Sequence, residues 1–173
     1  MKKKTILFGL YIFLISIGCT LFNAQKALKN FDITLLKPAS AEIKNSNWDG
    51  SDGEKYFQIK ILLRDFRFEK QNTKTSIVLD FIPSKKINIH ELENKTFEFP
   101  INPDPGYIDG SIYLSHSHNP VDVKKITFGK ITGNVIETSI YYDIIFEFEN
   151  TGYRNITDQK MTFPLSLEKL RDR

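Results

Sequence analysis

Cysteine is almost missing from this chain: Cys19 is the sole one, and it sits near the N-terminus. Everything after it is therefore without an intramolecular disulfide or a thiolate metal site. Net charge is missing as well. Basic residues number 24 and acidic ones 21, so the formal +3 equals Lys2, Lys3 and Lys4 alone (24 minus 3 leaves 21 against 21). A neutral body gives no support to nucleic-acid binding, and no nucleic-acid partner is expected. Helical spacing of apolar residues is nearly absent, as are fixed-period repeats, low-complexity tracts and a second-domain linker. No G-x-S-x-G elbow occurs, which removes the usual signature of a serine hydrolase. A body of about 140 residues without disulfides must close a true hydrophobic core, and at that length it buries roughly two thirds of its unfolded surface.

What is present begins with an export pattern. Lys2, Lys3 and Lys4 precede an uncharged, mainly apolar run from Thr5 to Phe22. A basic n-region before such a run reads as a secretory signal, and its length also borders on that of a spanning helix. Three fates follow for residues 1–24. Cleavage after Gly18 suits the small residues Ser16 and Gly18. Lipidation at Cys19 suits the lipobox-like Ser16-Ile17-Gly18-Cys19. Retention suits an uncleaved anchor helix. All three place the body outside the cytoplasm, with the lysines inside. The expected location is the bacterial periplasm or cell surface, with the membrane as a partner through the N-terminal segment or its lipid.

Residues 25–30 read as a tether, and residues 31–173 as a single domain. Apolar residues there recur at spacing two, the period of strands with one buried face. Phe31, Ile33 and Leu35 open the pattern, which Pro38 ends, and Lys44 to Gly53 reads as a polar loop holding Trp48. Phe57, Ile59, Ile61 and Leu63 share a face before the phase shifts to Phe66 and Phe68, which requires a bulge, a bend or a new strand near Arg64 and Asp65. Ile77, Leu79 and Phe81 align before Pro83. Phe97, Phe99 and Ile101 precede a Pro-rich break. Ile126 to Phe148 forms a hairpin about Gly133-Asn134, with Ile136, Thr138, Ile140, Tyr142, Ile144, Phe146 and Phe148 inward. Pro164 points to an edge position for the last strand. Eight or nine short strands predict an all-β fold: a two-sheet antiparallel sandwich, immunoglobulin-like or jelly-roll-like, preceded by an N-terminal signal or anchor helix, with a barrel as the second choice.

Candidate sites are few. Ser115-His116-Ser117-His118 would put His116 and His118 on one strand face, where two imidazoles can ligate a metal if His90, Asp104, Asp109 or Asp122 supplies a third ligand. Asp49, Asp52 and Glu54 offer oxygen ligands for an irregular calcium site, although Tyr56 stands where an EF-hand needs glutamate. Glu137, Asp143, Glu147 and Glu149 form an acidic strand face. Trp48, Tyr113 and Tyr141, on a loop or on wet strand faces, are candidate anchors for a protein or glycan partner. No catalytic residue and no cofactor is expected. These observations favour a non-catalytic envelope binding module, for instance an immunity-like or inhibitory protein. The alternatives are a metal-binding protein using His116 and His118, or a hydrolase of unrecognised site.

Overall fold

The computed structural model describes residues 27–49, 53–85, 87 and 91–171; the side chains of Trp48, Asp49 and Arg171 also fall outside that set. The expected signal, with Cys19, lies outside the described residues. Among the described residues no helix is long and apolar enough to cross a membrane.

Ten strands account for most of the described residues: β1 (Pro38–Asp49), β2 (Lys55–Leu63), β3 (Phe66–Phe68), β4 (Gln71–Thr73), β5 (Ser76–Pro83), β6 (Thr96–Glu98), β7 (Asp109–Leu114), β8 (Ser117–Thr132), β9 (Val135–Ile144) and β10 (Ile156–Ser166). Seven of them form a closed ring in the order β8-β7-β5-β2-β1-β10-β9, with β9 returning to β8. The fold is all-β, and the architecture is the barrel rather than the sandwich. Spacing-two patterning serves both equally, since each needs one apolar face per strand. What closes the ring is the length of β8. Its first residues pair with β7, a later stretch pairs with β6 on the same edge, and the stretch from Val121 to Thr132 pairs with β9 on the other. Register shifts between Val123 and Lys125 and between Phe128 and Ile131 bend it around the wall.

Six of the seven ring contacts are antiparallel and one, β1 with β10, is parallel. Parity requires this. Strands that alternate in direction cannot close on an odd number, so one neighbouring pair must run the same way.

The interior is filled by side chains. Ile43, Ile59, Ile61, Ile77, Leu79, Ile112, Ile126, Ile136, Ile140, Ile144 and Leu165 have no solvent exposure. One end is sealed by Phe31, Phe68, Phe146 and Tyr153, whose ring centroids lie 5.3 to 6.2 Å apart. Gly110 lets β7 close on β8, because a methyl group there would run into the Val121 carbonyl oxygen.

Several local expectations are corrected. Ile33–Leu35 is a turn of 3-10 helix, with the Asp32 side chain accepting from the Thr34 N–H. A capping aspartate outweighs three alternating apolar residues. Pro38 begins β1, and the strand runs on through the polar stretch to Asp49, because β2 supplies its ladder as far as a register shift after Asn45. The phase shift at Arg64 and Asp65 is a new strand, β3. The Gly133-Asn134 turn is present, but the return strand stops at Ile144, and Phe148, in the turn beyond, is 71% exposed. Pro164 lies between two neighbours rather than at an edge. Its missing N–H is tolerated because the parallel ladder to β1 involves only Leu165 and Ser166.

Candidate functional site

Of the sequence candidates, Ser115 and His116 form the two-residue turn between β7 and β8, both with positive φ (46° and 71°). His116 is thus at a turn tip, while His118 is on β8 opposite Tyr113, their rings 5.2 Å apart edge to face. The two imidazoles do not alternate along one strand. Asp122 lies four residues further along β8, about 13 Å away at ~3.3 Å per residue. Among the described residues no group of three or more His, Cys, Asp or Glu side chains is placed to hold a metal ion. Ser115 Oγ donates to Glu69 Oε2 at 3.1 Å and not to a histidine. His90, Asp52 and the side chains of Asp49 and Trp48 are outside the described residues. Glu54 opens onto β2, where its carboxylate accepts from the Tyr56 hydroxyl at 3.2 Å.

Tyr141 is on the outer wall of β9, between Lys125 of β8 and Lys160 of β10. Their ammonium groups lie 4.2 and 5.5 Å from its ring centroid. The ring is therefore already engaged by the protein's own cations, which leaves less of it for a sugar face. Glu137 and Asp143 share that wall. Asp143 is nearly buried, at 8% exposure, and it accepts from the Asp158 N–H at 2.7 Å and from Lys124 Nζ at 2.9 Å, so it is a structural hub rather than a solvated face residue. Glu147 and Glu149 fall in the turn beyond the strand.

The sequence gives no hint of the feature that the register creates. Asp80 of β5 pairs with Asp109 of β7, Asp109 with Asp122 of β8, and Asp122 with Asp143 of β9. Asp158 of β10 completes the row through its N–H bond to Asp143. Five aspartates thus cross five neighbouring strands. Like charges directly opposite one another oppose sheet formation. At one end the protein compensates: Lys124, set at the bulge of β8, bonds Asp143 at 2.9 Å and Asp158 at 2.8 Å. At the other end, among the described residues, no Lys or Arg pairs with Asp80, Asp109 or Asp122. Asp80 accepts from the Gln58 amide, and Asp122 from the Asn102 backbone N–H. Burial first, and the charge of Asp143 second, push the Asp122 carboxyl above the ordinary 3.8.

The uncompensated end adjoins an aromatic recess of about 320 Å³ lined by Glu54, Tyr56, Phe81, Pro83, Tyr107 and Asp109. Spacing places Phe81 with Ile77 and Leu79 in the core, but the structure turns it outward. Three steps along β5 (Leu79 to Ile82) face two along β2 (Ile59 to Phe57), and the extra residue is absorbed with Phe81 at φ +57°. Its ring meets Tyr56 at 5.6 Å and 86°, so the two form a corner. A second, smaller cavity of about 160 Å³ lies at the sealed end, beside Glu69, Ser115, Asn119 and Tyr153.

No family model matches the chain, and no curated protein or solved structure matches it either. The fold and the outer wall therefore define the class by themselves: a side-chain-filled, seven-stranded barrel with an acidic row leading to an aromatic recess.

Proposed function

We propose that this protein is an exported envelope module that binds a partner without catalysis, through the outer wall that carries the Tyr56, Phe81 and Tyr107 recess. The observation that supports this most is the backbone of Phe81. A bulky residue at φ +57° is held against an intrinsic penalty of about 1–3 kcal/mol, and such strain gathers at functional positions. The bulge returns Ile82 to the core, and it does so by leaving the Phe81 ring on the outer wall. The filled interior points the same way, for a barrel packed with isoleucine offers its walls and rims to partners rather than its lumen. Export rests on Lys2, Lys3 and Lys4 before the Thr5 to Phe22 run, with tethering by lipid at Cys19, by an anchor helix, or release by cleavage.

A photo-crosslinking amino acid placed at Tyr107 tests the binding face in living cells. An envelope partner should be captured from that position, and much less from the same probe at Glu42, on the other side of the ring. Equal capture at both, or none at either, counts against this face.

A further inference from the structure

Resting on that reading of the wall, we propose that the partner contributes a basic polypeptide segment, with one Arg or Lys side chain entering the Tyr56–Phe81–Tyr107 recess and its basic neighbours lying along Asp80, Asp109 and Asp122. Charge complementarity selects this occupant. Aromatic walls attract a cation through the negative faces of their rings, and Glu54 and Asp109 add carboxylates to the same recess. The aspartates carry the attraction outward from there. Neighbouring strands lie about 4.8 Å apart, so Asp80, Asp109 and Asp122 span about 10 Å. An extended chain presents side chains to one face every ~6.7 Å, so two or three alternate basic residues cover that length.

The protein already contains the interaction in miniature. Lys124 lies between Asp143 and Asp158 on the same row and bonds both at under 3 Å. A visiting Lys or Arg would repeat that arrangement two strands away at Asp80 and Asp109, with which no Lys or Arg of the described residues forms an ion pair, while Asp122 feels Lys124 only at longer range. A lone organic cation would fill the recess but leave Asp122 unused. A neutral sugar would gain nothing from three in-register carboxylates. Both are outcomes the experiment can return.

The test is fluorescence anisotropy of a labelled peptide of alternating Arg and Ser, with a Glu–Ser peptide and tetramethylammonium as comparisons, on the whole exported body. Expected is saturable binding of the Arg–Ser peptide that weakens steeply with salt. Phe81→Gly, and separately the pair Asp80→Asn with Asp109→Asn, should each lower affinity by about fivefold or more. Both variants should keep the native circular dichroism spectrum and melt no lower than the parent, because one relieves a positive φ and the other a like-charge pair. That combination separates a binding surface from a structural one.

Binding of the Arg–Ser peptide that is unchanged in both variants would overturn the proposal, as would binding no stronger than that of the Glu–Ser peptide. Competition by tetramethylammonium as strong as by the peptide would reduce the site to the recess alone, against the proposed basic segment. If crosslinking from Tyr107 captures a partner while the Arg–Ser peptide fails, the face stands and the basic segment falls. If both fail, the reading of the face falls with it.

Discussion

Tyr142 turns its ring into the barrel, and burial pushes its phenol up to about 12 from the ordinary 10. Between those values the unfolded chain loses its phenolic proton while the folded one keeps it. The native state then binds more protons, and stability falls as pH rises. Below about pH 10 both states are protonated and the contribution is flat. Chemical denaturation across pH 9 to 12 should show this decline, and Tyr142→Phe should remove much of it; an unaltered slope would place the ionisation elsewhere. Phe81 shows where residue-scale reading of a sequence stops. Its spacing from Ile77 and Leu79 is that of a core residue, and no neighbour announces a bulge. Only the pairing of β5 with β2 shows that a residue is in excess. The aspartate row is hidden in the same way. Each of Asp80, Asp109, Asp122 and Asp143 is an ordinary polar residue of its own strand, and only the register brings like charges together.

At the scale of elements, the β3–β4 hairpin is not part of the ring and is held to it by the polar bonds of Glu69 and by the packing of Phe66 and Phe68. Glu69, in its turn, accepts from the Tyr153 hydroxyl at 3.1 Å and from Ser115 Oγ at 3.1 Å, while Phe68 joins the aromatic seal. Burial first, and hydrogen bonding to Glu69 second, push the Tyr153 phenol upward. Glu69→Ala removes both acceptors, and amide hydrogens of residues 66–73 should exchange about tenfold faster or more while those of β8 and β9 keep their protection. Uniform acceleration would mean that the hairpin is integral to the barrel rather than a latched addition. Turns and breaks were legible at this scale, since Gly133-Asn134, Pro83 and the shift at Arg64 and Asp65 each act through local backbone chemistry. The polar end of β1 was not legible. Lys44 to Asp49 is strand because β2 lies beside it, not because of its own composition.

At the scale of the whole molecule, the class was readable and the architecture less so. Alternation along β2, β7 and β9 fixes an inside and an outside, which a sandwich and a barrel share. The choice between them depends on whether β8 is long enough and bent enough to serve both β7 and β9. That depends on register shifts at Lys124 and between Phe128 and Ile131, to which no residue type is specific. The site was largely unreadable for a related reason. Tyr141 lies on the outer wall, but the lysines that bracket it depend on the registers of β8 and β10 against β9, and the recess around Phe81 draws residues from β2, β5 and the segment before β7.

The parallel seam has a consequence in time. Strand β1, the first of the seven ring strands in chain order, closes the ring against β10, the last of them. Along the proposed export route the chain is therefore an open sheet until its final strand has crossed, with the outer edges of β1 and β9 unsatisfied and free to pair with any other chain. The seam would act as a completeness check, since without β10 the ring stays open between β1 and β9. A chain ending at Asn155 should be recovered as aggregates or be digested readily by protease, and it should regain a soluble, protected state when a synthetic peptide of residues 156–171 is supplied during refolding. A monomeric, protease-resistant truncation would show that closure is not the step that completes the fold.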